Sequence, residues 1–376
     1  MKQLPLSADT VGTVARGHPW VYHDGVRGKA PVGDAVELMD GRGKRVAWGL
    51  FDEGVIAVRV LGRDPVPLHE LLKQRLAAAW ARRTRLLGGE TDTYRVCNGE
   101  GDGLGGLVVD RYGDVLVVRL YSKVWERQLD SIVGMLVGIT GCKTVFRRYG
   151  VGRVDDRQGG ETLRGPEPAE VFVVHEHGMK LLVRVREGQK TGLFLDQREH
   201  RKLIRGWASG RTVVNLFSYN GGFSLAAALG GAKHVTSVDV AAPALEDARE
   251  AFRLNGLDPA AHRFEAADAF TWTGGPSDLV IVDPPSLTHT QKADSAAKNA
   301  YKTLHRHVGG YATDLVATSS CTARLAWERW EEAVREGLGG GWASLHRSGE
   351  AIDHPVLVAH PEGRYLKFAL LGKVAR

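Results

Sequence analysis

The chain has only three cysteines in 376 residues, Cys97, Cys142 and Cys321. They are widely separated and lack the paired spacing of a zinc site or a disulfide framework, so each is read singly and no metal is expected. No run approaches the roughly 20 uninterrupted apolar residues that a membrane span needs, so no membrane partner is expected. The opening MKQLPLSADT lacks the basic-then-apolar order of a secretory signal, which points to a cytoplasmic protein. Internal repeats and low-complexity tracts are also missing. What remains, 43% hydrophobic and 25% charged residues, is the balance of a soluble globular chain, long enough for two or three domains. A net charge of +6 and a pI of 9.2 fit a polyanionic partner without demanding one.

Residues 1–67 carry short β-type runs, 35–38, 46–50 and 56–61, separated by Gly and Asp turns, and read as a small barrel. Pro65 and Pro67 close it. Leu68 to Leu87 then repeat Leu and Ala at helical spacing. Residues 68–187 make an α+β middle region. Within it, runs 107–112 and 115–120 flank a Gly113-Asp114 turn, a helix follows over roughly Trp125 to Leu136, and a second hairpin pairs 171–174 with 180–185.

From residue 188 strands alternate with helices, which implies α/β architecture with a parallel, Rossmann-like sheet covered on both faces. The expected strands are 212–217, 234–239, 262–266, 278–283 and 314–320, with a final antiparallel pair near 341–345 and 364–371. After the first strand comes Asn215-Leu216-Phe217-Ser218-Tyr219-Asn220-Gly221-Gly222, a polar turn into an Ala-rich helix. Glycine lets a ligand approach the backbone closely, and the helix start offers free amides. The next strand ends at Asp239, where an acid holds ribose hydroxyls in this fold class. Asp268, before Ala269 and Phe270, stands where an adenine amino group would find an acceptor beside an apolar ring. Together these imply S-adenosylmethionine as cofactor.

The fourth strand runs Asp278 to Val282 and emits Asp283-Pro284-Pro285-Ser286, so Asp283 is held where the sheet meets its crevice. The fifth ends Ser319-Ser320-Cys321-Thr322, one strand away on the same edge. A thiol there suits one reaction. Carbon 5 of cytosine is too weak a nucleophile for a methyl sulfonium, but a thiolate added at carbon 6 turns the ring into an enamine. Cys321 would form that adduct, and Asp283 would stabilise the charge that develops on the ring. Cys97 and Cys142 read as inert buried fillers.

These motifs, with Glu187 to Arg198 (EGQKTGLFLDQR) and DHPVLVAHPEGRYLK near the C-terminus, closely resemble the bacterial large-subunit ribosomal RNA (cytosine-5) methyltransferase I family. Gly17 to Tyr22 (GHPWVY) is similar to the start of that family's N-terminal PUA domain, an RNA-binding barrel. The resemblance implies a class I methyltransferase domain over 188–376, a PUA-like barrel over 1–67 and a linking RNA-binding region between. Its partner would be ribosomal RNA, and a homodimer is compatible with it. It further implies that Asp196, Arg198, Asn215, Phe217, Ser218, Tyr219, Gly221, Gly222, Asp239, Asp268, Ala269 and Asp283 line the cofactor pocket, with Cys321 the nucleophile and Asp283 catalytic. His354 and Pro361 to Tyr365 sit in a matching motif, either structural or substrate-facing. Where that family has Ser after the cysteine this chain has Thr322, and Ser286 stands where a two-cysteine branch has its second thiol. Two other readings stay open. One is methylation of another base position, such as guanine N7, without a thiol; the other is a noncatalytic RNA-binding or ribosome-assembly factor.

Overall fold

A computed structural model describes residues 1–152, 154, 155, 157–287 and 294–374. The chain divides into two compact units. The first holds residues 1–174, 183–195 and 352–363, and the second 175–182, 196–351 and 364–376.

The first unit opens with β1 (Lys2–Pro5), α1 (Ala8–Ala15), β2 (Trp20–Tyr22), β3 (Ala35–Met39), β4 (Arg45–Phe51) and β5 (Ile56–Gly62), in sheet order β1-β3-β4-β5-β2. A bridge between Leu6 and Val26, just beyond the two edge strands, ties the ends of the sheet together. The barrel expected from the short runs is therefore present, filled by Val21, Val36, Leu38 and Val58. Helix α2 (Leu68–Leu87) buries Leu71, Leu72, Leu76 and Ala79 at helical spacing. A second sheet follows, in order β10-β9-β8-β7-β6, from β6 (Thr93–Asn98), β7 (Leu107–Tyr112), β8 (Val115–Leu120), β9 (Thr144–Arg148) and β10 (Gly160–Arg164). The β7–β8 hairpin has the expected bounds, with Gly113 at φ 58° in its turn. Helix α3 occupies Leu129–Thr140, later than expected, because Lys123–Gln128 winds as a 3-10 turn first. A small hairpin, β11 (Phe172–Glu176) and β12 (Met179–Val183), follows in the chain, and its residues 175–182 belong to the second unit.

The second unit is built on a seven-stranded sheet of order β15-β14-β13-β16-β17-β19-β18. Its members are β13 (Thr212–Leu216), β14 (His234–Asp239), β15 (Arg263–Ala266), β16 (Ser277–Val282), β17 (Ala312–Ser320), β18 (Trp342–Ser348) and β19 (Lys367–Lys373). The first five pair in parallel, and β19 runs antiparallel to both β17 and β18. Helices α4 (Arg198–Trp207), α5 (Gly222–Leu229), α6 (Ala242–Leu254), α7 (Asp294–Gly309) and α8 (Trp327–Leu338) complete the unit. Continuous apolar runs such as Val213-Val214 and Leu279 to Val282 are what a strand buried on both faces requires. The strand order reverses between β13 and β16, so the carboxyl ends of these strands open onto the crevice where α/β sheets bind ligands.

Candidate active site at the carboxyl edge of the seven-stranded sheet

At the end of β13 the backbone is bent in an unusual way. Phe217 and Tyr219 both adopt left-handed angles, φ 59° and 49°, followed by Gly221 at 76°. Such conformations cost of order 1–2 kcal/mol for residues with a side chain and gather where a loop is shaped for a ligand. Gly221 is obligatory for a second reason: a Cβ there would lie 2.6 Å from that of Ala248 on α6. Asn215 is buried. Its Nδ2 donates to Ser224 Oγ at 2.9 Å, while its Oδ1 has no hydrogen-bond partner, and neither has the buried Ser218 Oγ. Orphaned buried oxygens beside a strained turn are what a missing polar ligand would satisfy.

Asp239, at the end of β14, accepts the backbone N–H of Tyr219 on Oδ2 (2.8 Å) and of Ala241 on Oδ1 (2.9 Å). Both oxygens are oriented by the main chain, and each retains a lone pair for a ribose hydroxyl. The rings of Phe217 and Phe270 meet edge to face at 5.0 Å, with Phe270 39% exposed, so the turn carries an apolar wall for a purine. Asp268 is exposed, and its Oδ1 accepts the N–H of Phe270 at 2.9 Å. Ala269 is buried beneath it. The donors, acceptors and apolar wall fit a nucleoside with a charged tail.

One strand over, Asp283 follows β16. Its Oδ1 accepts from Ser319 Oγ of β17 and from Gln197 Nε2 at 2.9 Å. Gln197 also donates to Ser319 Oγ at 3.2 Å. With its amide nitrogen so engaged, Gln197 Oε1 accepts from His200 Nδ1, and His200 Nε2 takes the hydroxyl of Ser348 at 3.0 Å. Burial depresses the pKa of His200 to about 3, so it is neutral, and it stacks on Phe368 at 4.0 Å. Helix α4 explains this arrangement. Its inward face is Arg198, His200, Arg201 and Ile204, so polar side chains, rather than an apolar stripe, are delivered to the sheet edge.

Cys321 is half-buried just past β17. Parallel pairing of Val282 with Thr318 puts the segments carrying Asp283 and Cys321 side by side. Behind them Tyr301 of α7 donates to Ser320 Oγ at 2.8 Å and lies 3.2 Å from Thr322 Oγ1. Lys367, the first residue of β19, is buried and donates to the carbonyls of Thr322 and Tyr365, each at 3.0 Å. The other two thiols are in the first unit and fully enclosed. Burial pushes the pKa of both upward, and Cys97 gives its S–H to Leu107 O.

The remaining expected residues divide. Asp196 is buried, with Oδ2 accepting from Tyr365 Oη and its backbone carbonyl from Ala351 N–H. Arg198 is fully buried, with Nε on Glu199 at 3.1 Å. Residues 189–195 of the same loop belong to the first unit, where Thr191 Oγ1 donates to Asp110 at 2.7 Å. His354, also in the first unit, is 2.9 Å from Asp353, whose Oδ2 accepts the N–H of Arg95. Its surroundings are structural. Gln197, Ser319, Tyr301 and Lys367 were missed in the sequence. The paired serines that follow the Leu315-Val316-Ala317 stretch of β17, and a lysine opening the apolar Lys367–Lys373 run, were the signals available. Among the described residues one group of histidines and acids converges elsewhere, His18, His360 and Glu362 of the first unit, with ligand atoms within 4.8 Å of one another. It joins opposite ends of the chain and leaves no trace in local spacing.

A five-strand parallel core with an antiparallel β19 tucked beside β17, and a nucleoside-shaped turn at its carboxyl edge, define a class I methyltransferase fold. The chain belongs to the S-adenosylmethionine-dependent methyltransferase family, which matches residues 102–322, and residues 5–63 match the PUA-like domain family. Its cofactor is S-adenosylmethionine. Among its relatives, a ribosomal RNA large subunit methyltransferase of Deinococcus radiodurans is 39% identical, covering 94% of this chain and 93% of the relative. Ribosomal RNA large subunit methyltransferase I of Erwinia tasmaniensis is 33% identical over 97% of this chain and 98% of its own length. A SAM-dependent methyltransferase structure from Streptococcus mutans superposes with a TM-score of 0.87 at 25% identity, covering 99% and 100% of the two chains. A methyltransferase crystallised with SAH superposes at 0.88 with the same identity and coverage. Among the described residues no helix is long and apolar enough to cross a membrane.

Proposed function

We propose that this protein methylates carbon 5 of a cytosine in large-subunit ribosomal RNA, in the cytoplasm, through a covalent adduct of Cys321. The likeness to ribosomal RNA large subunit methyltransferases supports the substrate class, and a thiol beside Asp283 supports the choice of base. Bound S-adenosylmethionine supplies an electrophilic methyl group. The turn from Asn215 to Gly222, with Asp239 and the Phe217–Phe270 wall, would hold it, and Asp196, Arg198, Asp268 and Ala269 belong to the same proposed pocket. Cys321 Sγ adds to carbon 6 of the cytosine, and the ring's electron pair becomes available at carbon 5. Asp283, steadied by Ser319 and Gln197, faces the ring nitrogen and amino group and stabilises the charge that develops there. Carbon 5 takes the methyl group, and loss of its proton to a base then expels the thiolate and restores the ring. We further assign the barrel of residues 1–67 and the region 68–187 to holding the RNA.

The observation that carries this reading is the neighbouring exit of Asp283 and Cys321 from paired strands. Mass-spectrometric mapping of ribosomal RNA from a deletion strain tests it. One 5-methylcytidine should vanish from the large-subunit RNA and return with the wild-type gene but not with Cys321→Ala. Loss of a methyl group at another base, or complementation by Cys321→Ala, would overturn the reading.

A further inference from the structure

Lys367 is an anomaly of burial. Its side chain opens an apolar strand and is 4% exposed, whereas an ammonium in a protein interior is tolerated only when its charge is answered. Its bonded partners at 3.0 Å, Thr322 O and Tyr365 O, are neutral carbonyls. They take two of its three N–H donors and none of its charge. Two groups interact with that charge: Glu350 and Cys321. Glu350 Oε1 already accepts the N–H groups of Tyr365 at 2.6 Å and Leu366 at 2.8 Å, so its carboxylate is tied to the backbone. Cys321 is the residue before Thr322, whose carbonyl Lys367 grips.

Resting on the reading of Cys321 as the nucleophile, we propose that Lys367 is a positioning residue that holds Cys321 as its thiolate before RNA binds. The S–H proton leaves to water, Lys367 keeps all three of its protons, and the buried ammonium and thiolate become an ion pair. Asp283 and Cys321 both act on Tyr301, whose hydroxyl burial keeps protonated, so a carboxylate stands near the thiol and opposes a second negative charge. Lys367 offsets it. Burial itself lowers the pKa of Lys367, while Glu350 and Cys321 act to keep it charged. The register of β17 on β19 pairs Ser320 with Lys367, which brings the ammonium to the carbonyl of Thr322, the residue after Cys321.

The test is the pH dependence of Cys321 alkylation by iodoacetamide, followed peptide by peptide in the full chain without RNA, with buried Cys97 and Cys142 as internal controls. The wild-type midpoint should fall at least about one unit below the ordinary thiol value of roughly 8.5. Lys367→Met should raise it by about one to two units and slow alkylation at pH 7 roughly tenfold or more, and Lys367→Arg should restore most of the rate. A wild-type midpoint at or above the ordinary value overturns the proposal even if Lys367→Met does not fold. An unchanged profile in a folded Lys367→Met overturns it too. If the profile shifts as expected but ribosomal 5-methylcytidine does not depend on Cys321, the ion pair stands and the nucleophile reading falls.

Discussion

Buried charge is handled differently in the first unit and at the sheet edge of the second. In the first, buried ions answer one another. Arg83 and Asp102 meet through two contacts of 2.6 Å, Asp102 also accepts from Arg82 and from the N–H of Asn98, Arg95 grips Asp110 at 2.8 and 3.2 Å, and Arg59 bridges Asp52 and Glu100. At the sheet edge of the second, Lys367 bonds neutral carbonyls, and Asn215 and Ser218 keep buried oxygens without a hydrogen-bond partner. Arg201 with Glu176 is a closed pair of the first kind within the second unit. Closed pairs set a fold in register; open valences at strand ends are suited to groups that arrive from outside.

The contrast breaks most sharply at Cys321. Replacing it with alanine should lower methyl transfer by roughly 10³-fold or more while leaving S-adenosylmethionine affinity within about twofold, read by single-turnover assay and calorimetry. Equal loss of affinity would mean that the thiol is part of the cofactor pocket instead. On the other side, Asp102→Ala strands the buried Arg83 guanidinium and should cost about 3–5 kcal/mol of stability in denaturant unfolding. A change under about 1 kcal/mol would show that the first unit's pairs are not holding it. Asp239→Ala comes next. Removing an acceptor for two ribose hydroxyls should weaken cofactor binding by about 10–100-fold, with little change in stability.

A further effect is in pH. The folded pKa of His200 is about 3 and that of His305 about 4, both lowered by burial from 6.5. Between those values and 6.5 the unfolded chain binds more protons. Stability is therefore complete above pH 6.5 and lost as pH falls below it, by up to about 1.4 kcal/mol per pH unit for each histidine. His200→Gln should flatten that slope in urea titrations between pH 6.5 and 4.5. A slope as steep as the wild type's would mean that the imidazole is not kept neutral.

Much of the architecture could be read along the chain because its signals are local. The β7–β8 hairpin and helix α2 have the expected bounds, and the five parallel strands lie within two residues of theirs; for central strands such as β13 and β16 the signal is a continuous apolar run, which burial on both faces requires. Helix α3 begins later than expected because apolar spacing does not separate a 3-10 turn from the α-helix that continues it. At the site, Asp239, Asp283 and Cys321 could be picked out because each ends an apolar strand. Gln197 could not: it stands beside Asp196 and Arg198 in one motif, and only the fold turns its amide onto Asp283.

By itself the sequence determined which strands are buried, where they stop, and hence which side chains line the carboxyl edge, because burial and turn formation depend on residues close together in the chain. Tertiary structure alone decided that Ser319 and Gln197 hold Asp283, that Lys367 grips the carbonyl of Thr322, and that His18 meets His360 and Glu362. Those relations depend on which strands become neighbours and in what register. Nothing in the spacing of Lys367 from Ser320 and Thr322 encodes that contact; the antiparallel return of β19 against β17 creates it.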